Sequence, residues 1–518
     1  MSARPNRSPE VSPPPPGTHI PGGRANAILP GLLLIQVDGL SASDLEYALG
    51  QGIIPTVSKL VREGHRLQAW SSGLPSDTLA VQTSLFWGAE PPVPSFEWWD
   101  RRHQRRRHAA SASGAATIER TLEAEVGPGL LRGGQCHGAA IGGGAYGGTL
   151  LPPTGRRTWL SMAGESVRAI AHVVSVRQPP HSSPTRRPRT EALGPDRPTS
   201  LGSRAVALAV AAASRASGHI VASGAHRDLA SGRPIIFVNV VEYDLVAHLT
   251  GPRSEGAREA LTSIDALVGS LVNAAREAPR PYRVIVISDH GVAPATPIPT
   301  LFTPDIRTWV TDEWKKRTRT NDTLAVTASG TVLQAWVRDT RERQDLHALA
   351  LRAPGFVEAI ARHPAIALTI VADGIAGGGV SHVVVIGRDG GVRLVTNRRS
   401  TPGAEFSERP PVVVERWGES PFARLGRPDE VEAHVAAFAG RPDLGDVACL
   451  AAPTRSAGDD HDNDEFWTFE SQYGAHGGLG GDQARPFLLI PPDDPGPTGL
   501  HGGASAIHSW LESLAPPR

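Results

Sequence analysis

Three short aliphatic runs, Leu32–Val37, Ile235–Val241 and Tyr282–Ser288, constrain this chain more than anything else in it. None shows the every-other-residue polarity of a strand with one wet face. Continuous apolar runs of this length suit strands buried on both faces of a parallel sheet. Parallel neighbours need a crossover, usually a helix. Segments with helical spacing at Pro55–Glu63, Arg204–Ala216 and Glu255–Ala275 supply candidates. The predicted fold is therefore α/β, with a central, mostly parallel sheet flanked by helices.

Each run also delivers an acid. Asp38-Gly39 follows the first and Asp289-His290-Gly291 the third, while the second leads to Asp244 and His248. Residues four apart share one side of a helical turn, and open α/β sheets bind ligands beyond the carboxyl ends of their strands. The break at Gly251-Pro252 predicts that Asp244 and His248 sit on a loop or short turn. Asp289 and His290 can reach one ion while Asp244 and His248 hold another, so a two-metal site is the economical hypothesis. The loop Gly73-Leu74-Pro75-Ser76-Asp77-Thr78 precedes a predicted helix, Leu79–Phe86. A helix amino terminus favours an anion and a lowered hydroxyl pKa, which suits a nucleophile. The same residues also suit an ordinary helix cap.

Together Asp38-Gly39, Pro75-Ser76-Asp77-Thr78, Asp244 with His248 and Gly251-Pro252, Asp289-His290-Gly291 and a later His476-Gly477 resemble the type I phosphodiesterase/nucleotide pyrophosphatase branch of the alkaline phosphatase superfamily. The resemblance implies an alkaline-phosphatase-like fold with an inserted α+β cap or side lobe. It implies one zinc on Asp244, His248 and His476, and a second on Asp38, Thr78, Asp289 and His290. Manganese is the alternative metal, given the oxygen-rich second set. It further implies Thr78 as the nucleophile in hydrolysis of a phosphodiester or pyrophosphate, with a small, nucleotide-like phosphorylated substrate. A phosphomonoesterase or phosphonate hydrolase on the same core is the alternative, and an inactive phosphate-binding scaffold is the alternative of a different class. One departure stands out. The family carries an Asn some twenty residues past the nucleophile to bind a phosphoryl oxygen, and VPSFEWWDRR at Val93–Arg102 has none. Trp98, Trp99, Asp100 and Arg101 are the candidates to replace that contact.

Lys+Arg and Asp+Glu are both 52, so no net field draws the chain to nucleic acid or an acidic membrane. Two cysteines, Cys136 and Cys449, are too few for a disulfide framework or a thiolate metal site. Residues 1–28 read as a disordered Pro-rich tail without a signal-peptide core, and no apolar run is read as long enough to cross a bilayer. A cytoplasmic location is the expectation, and oligomeric state is not legible. The catalytic core is expected over 29–292, with a Pro- and Arg-rich insertion at 176–200, and again over 448–518. The segment 293–447 is expected to form the lobe, with strands over Ala325–Val337 and Val380–Val395 and one helix over Arg341–Arg362. Gly133–Gly148 reads as a tight loop, Arg101–His108 as a solvated turn, and the acidic run Asp459–Glu465 as a solvated loop without metal-ligand spacing.

Overall fold

The computed structural model describes residues 29–89, 93–108, 112–149, 201–298, 305–376, 379–395, 411–441, 443–454 and 464–517. The tail expected over 1–28, the insertion over 176–200 and residues 459–463 of the acidic run lie outside these.

The three apolar runs form adjacent central strands of a six-stranded sheet. Gly31–Val37 lies between Ile235–Val240 and Tyr282–Ile287, parallel to both. Gln135–His137 extends the sheet in parallel on one side. On the other side Phe487–Ile490 pairs antiparallel with Tyr282–Ile287, and Arg66–Ala69 antiparallel with Phe487–Ile490. Phe487–Ile490 alone therefore runs against the rest. Side chains alternate between two cores. Leu32 and Leu34 meet the face carrying the helices Thr78–Trp87 and Ala504–Leu514, while Leu33, Ile35 and Val37 meet the face carrying Ala42–Gly50, Pro55–Arg62 and Glu255–Glu277. Each such side chain contributes roughly 1.5–3 kcal/mol by leaving water. The three central strands are accordingly buried on both faces.

A second, seven-stranded sheet forms the lobe, and all its pairings are antiparallel. Val447–Ala451 sits inside it, between Ile366–Ala372 and Val332–Val337. The division expected between 447 and 448 thus cuts through a lobe strand. The expected strand over 325–337 is a hairpin, Leu324–Ser329 and Val332–Val337, turning at Gly330 with φ 55°. The expected helix over 341–362 is two, Leu346–Arg352 and Phe356–Ala361. Pro354 has no amide to donate, and Gly355 adopts φ 75°.

Three other stretches differ from expectation. Arg101–His108 is the turn and second strand of a hairpin pairing Glu97–Asp100 with Arg105–His108. Within the loop expected over Gly133–Gly148, Gln135–His137 is the sheet's edge strand. The helix expected over 204–216 is Leu201–Ala230, and its Ala205–Ala230 window is long and apolar enough to span a membrane by length and composition alone, contrary to the expectation that no run is. Val221, Ala225 and Leu229 pack it into the sheet's core, although only 28% of the window is buried.

Arg101 joins the hairpin to the lobe. It reaches Asp446 at 2.7 Å with both side chains buried, and also donates to the carbonyl of Leu444. Removing one partner of a buried pair strands the other charge. Arg101→Met is expected to lower stability by about 3–5 kcal/mol, read as a shift of the denaturant midpoint at constant slope. A change under about 1 kcal/mol would mean that water already screens the pair.

Candidate metal centre

The sheet register brings the acids together. Gln36 pairs with Ile287, so Asp38 and Asp289, each two residues on, leave adjacent strands at the same level. Asp244 and His248 lie on a nine-residue helix, Glu242–Thr250, rather than the short turn expected. The helix directly continues the strand Ile235–Val240, and Gly251 at φ 99° ends it. His476 follows the two-residue strand Gly474–Ala475, which pairs with Ala293–Pro297 just beyond His290. Thr78 is the first residue of the helix Thr78–Trp87, capped by Asp77 through Ala80 N. Asp77 is thus the cap of that loop, and Thr78 faces the acids.

All seven residues expected as ligands converge. Thr78 Oγ1 lies 3.1 Å from His290 Nε2 and 3.3 Å from Asp38 Oδ1. His290 Nε2 is 3.5 Å from Asp289 Oδ2 and 3.6 Å from Asp38 Oδ1. Asp244 Oδ1 is 3.4 Å from His248 Nε2 and 3.7 Å from His476 Nε2. Asp244, His248 and His476 form one group whose ligand atoms lie within 4.8 Å of one another, and Asp38, Asp244 and His290 form another. Asp244 thus stands between the two sets. Gly39 allows this closeness, because a Cβ there would come within 2.6 Å of Asp244 Oδ1, and its φ is +73°.

The rings are held for ligation. His248 Nδ1 donates to Gly474 O at 2.7 Å, His476 Nδ1 to Ser76 O at 2.8 Å and His290 Nδ1 to Gly291 O at 3.1 Å. A nitrogen facing a carbonyl must carry the proton, which leaves each Nε2 lone pair pointing inward. Two acceptors want a cation: among the described residues the buried Asp289 Oδ2 receives no hydrogen bond, and the buried Asp244 Oδ1 has imidazole nitrogens no nearer than 3.4 Å. A buried carboxylate oxygen with no donor is costly unless a charge offsets it. The donor set, imidazoles with carboxylates, fits zinc or manganese.

Electrostatics agree. Burial, then the charges of Asp289 and Asp244, pushes the Asp38 carboxyl far up, and burial with Asp244 raises Asp289 to about 7. Burial works to raise Asp244 too, but His248, His476 and His290 outweigh it and hold that carboxyl well below the usual range. Burial opposes charge on His248, yet Asp244 lifts it to about 9; burial and His290 press His476 far down. Without a cation these carboxylates cannot all ionise comfortably.

Three supports hold the cluster, and two of them, Asn239 and Thr331, were not singled out in the sequence. Asn239 Nδ2 donates to Asp38 Oδ2 at 2.8 Å, and an amide inside an otherwise apolar strand was the available signal. Ser76 laces the Gly73–Thr78 loop to the His476 segment: its hydroxyl donates to Gly478 O at 2.7 Å and accepts from Gly477 N at 3.1 Å. The lobe reaches the site as well, since Thr331 N, at the turn of its hairpin, donates to His476 O at 3.0 Å. Asn239→Leu is expected to weaken metal binding by about 10- to 100-fold, measured by titration against a chelating indicator. Unchanged affinity would mean that Asp38 is oriented without it.

Trp98, Trp99, Asp100 and Arg101 are not brought to this cluster. Both tryptophans pack into the core on the face of Thr78–Trp87, Asp100 is held by Arg107 at 2.9 Å and His103 at 2.8 Å, and Arg101 is committed to Asp446. These contacts make them structural in this fold.

The model for the family described as type I phosphodiesterase / nucleotide pyrophosphatase matches residues 32–372, a span that includes six of the seven converging residues. This chain belongs to that family. Members of this type I phosphodiesterase family are metal-dependent hydrolases, and the chain is a hydrolase acting on phosphoester bonds. Two solved structures share the fold. A phosphonoacetate hydrolase from Sinorhizobium meliloti 1021, in complex with phosphonoformate, aligns with TM-score 0.50 at 12% identity, covering 95% of this chain and 96% of that one. The wild-type alkaline phosphatase PafA aligns with TM-score 0.51 at 12% identity and the same coverage. No curated protein matches the chain.

Proposed function

We propose that this type I phosphodiesterase hydrolyses a phosphodiester or pyrophosphate bond of a small, nucleotide-like substrate, with Thr78 as nucleophile and two metal ions, zinc in the first instance. Asp244, His248 and His476 would hold one ion, and Asp38, Asp289, His290 and the Thr78 hydroxyl the other. Such ions act as Lewis acids that lower the pKa of a hydroxyl and offset charge on the oxygens of a transferring phosphoryl group.

The residues themselves account for the order of events. Thr78 Oγ1 attacks phosphorus in line with the leaving oxygen, so that a threonyl phosphoester forms as the original ester bond breaks. Sharing an ion with Asp38 and His290, whose Oδ1 and Nε2 lie 3.3 and 3.1 Å from its oxygen, the Thr78 hydroxyl would ionise and give its proton to solvent water. The amino terminus of Thr78–Trp87 offsets negative charge on the attacked group. Water then attacks the threonyl phosphoester from the side the leaving group vacated, restoring Thr78 with net retention at phosphorus. The single observation that carries this reading is Thr78 Oγ1 at the head of a helix, in reach of both an imidazole and a carboxylate of the cluster.

The deciding experiment is the ratio of kcat/KM for a chromogenic phosphodiester to that for the matching monoester, on zinc-reconstituted protein. A ratio well above one is expected. A ratio well below one would replace the reading with a monoesterase, and no turnover of either ester with both metals bound would replace it with a phosphate-binding scaffold.

A further inference from the structure

One buried carboxylate grips both ends of the helix that carries Asp244 and His248. Asp44 lies in the first turn of Ala42–Gly50, a short way beyond Asp38, and is 2% exposed. The Tyr243 hydroxyl, from the start of Glu242–Thr250, donates to Asp44 Oδ2 at 2.9 Å. Arg253, just past the end of that helix, donates through Nε to Asp44 Oδ1 at 2.6 Å. Pro252 O lies 3.0 Å from the same Tyr243 hydroxyl, which ties the two ends to each other. Both Asp44 oxygens are thus taken up by the segment that holds two of the converging residues.

Helix capping does not account for this carboxylate, because Ser41 is the cap of Ala42–Gly50 and accepts from Asp44 N. Its place in the sheet does. Asp38 and Asp244 follow adjacent parallel strands, and the backbone bond from Asp38 N to Val240 O, at 3.1 Å, lies at the end of their pairing. Beyond that point Asp44 links the two segments through side chains. Charge-assisted hydrogen bonds in a buried site are short and strong, so they hold position. Arg253 also lies over the Tyr47 ring, 5.3 Å from its centroid, and reaches Ser43 Oγ at 3.4 Å. Ser43 Oγ in turn donates to Asp482 Oδ1. The Asp482 carbonyl packs so closely on Gly291, next to His290, that a Cβ there would come within 2.1 Å of it. The network therefore touches all three strand ends that deliver acids.

We propose that Asp44 is a positioning residue for the metal pair. Through Tyr243 and Arg253 it sets where Asp244 and His248 stand relative to Asp38, and so the spacing between the two ions. The assignment rests on the two-metal reading above. Two ions that share a phosphoryl group stand about 3.5–4 Å apart, so a small shift of the helix is felt first at the ion on Asp244, His248 and His476.

Asp44→Asn keeps the shape and removes the charge that faces Arg253, and Tyr243→Phe keeps the ring and removes the hydroxyl. Crystals equilibrated over a series of zinc concentrations and measured at the zinc edge give the occupancy of each position separately. In both variants the concentration for half-occupancy is expected to rise about tenfold at the Asp244, His248 and His476 position, the low end for a group that supports metal ligands from outside. It is expected to change much less at the other position. In solution, manganese-loaded wild type is expected to give the exchange-coupled spin resonance of two neighbouring ions, and the variants the spectrum of an isolated ion at the same manganese concentration. Arg101→Met, which loses an ion pair remote from this helix, is expected to match wild type in both measurements. Equal weakening at the two positions, or the same weakening in Arg101→Met, would make Asp44 a general stabiliser and overturn the proposal. Wild type with two ions and both variants unchanged overturns it too, whereas wild type that holds a single ion overturns the two-metal reading and this inference with it.

Discussion

Thr78→Ala is expected to lower kcat by about 10⁴-fold or more while leaving both metals bound. The size of the effect separates two roles. A residue that only steadied Asp38 or His290 through a neutral hydrogen bond would contribute about 0.5–1.5 kcal/mol, which is at most about a tenfold loss. A nucleophile carries the whole covalent route, and 10⁴-fold is about 5.5 kcal/mol of transition-state stabilisation. Alanine keeps the local structure, because the cap is the Asp77 side chain on Ala80 N and not Thr78. The six carboxylates and imidazoles remain in place. Steady-state kinetics beside metal content by mass spectrometry measures both halves. Thr78→Ser, which keeps the hydroxyl, is expected to stay within about 100-fold of wild type. An alanine variant within tenfold of wild type would sink the threonyl intermediate and leave direct attack by water.

The site was legible to the extent that it lies at strand ends. Asp38 and Asp289 follow continuous apolar runs, and parallel neighbours must end on the same edge, so a one-dimensional pattern fixed a three-dimensional neighbourhood. Asp244 and His248 were legible as a pair, but their element was misjudged. Gly251-Pro252 marks where the helix stops, and nothing local says that it starts as early as Glu242. His476 has no such strand behind it. Its place depends on a two-residue pairing with Ala293–Pro297 and on Ser76 and Thr331 from two distant segments, contacts that leave no local periodicity. The substrate side failed for a related reason. Trp98 to Arg101 looked available because they follow the nucleophile in sequence. Arg101 instead finds Asp446, 345 residues away, and a buried pair formed over that distance cannot be seen along the chain. In the lobe, Pro354-Gly355 was present to be read and was overridden by the apolar spacing on either side of it.

Stripping the metals is expected to abolish turnover and to make stability fall as pH rises from about 6.5 to 9, a dependence that the metal-loaded protein lacks. The sign follows from each group. Burial and Asp244 raise the folded-state pKa of Asp289 to about 7, so between 3.8 and about 7 the folded protein holds a proton that the unfolded chain has released, and this part of the fall is largely complete at the acid edge of the range. Folding that binds more protons loses stability as pH rises through the folded pKa. Asp38, raised by burial and by Asp289 and Asp244, adds to the same trend. His248 is the third contributor. Its stabilising ion pair with Asp244 is complete below 6.5 and is lost as the imidazole deprotonates near 9. Two groups oppose the trend only outside this range. Asp244 is depressed, so its contribution disappears in acid, and His476, held neutral, is penalised only below 6.5. Cations reverse the balance, because they hold all three carboxylates ionised and all three imidazoles neutral in the folded state. The measurement is Tm against pH for chelated and reconstituted protein, with activity followed on readdition of zinc. Parallel curves for the two forms would mean that the converging carboxylates are neutralised by something other than metal.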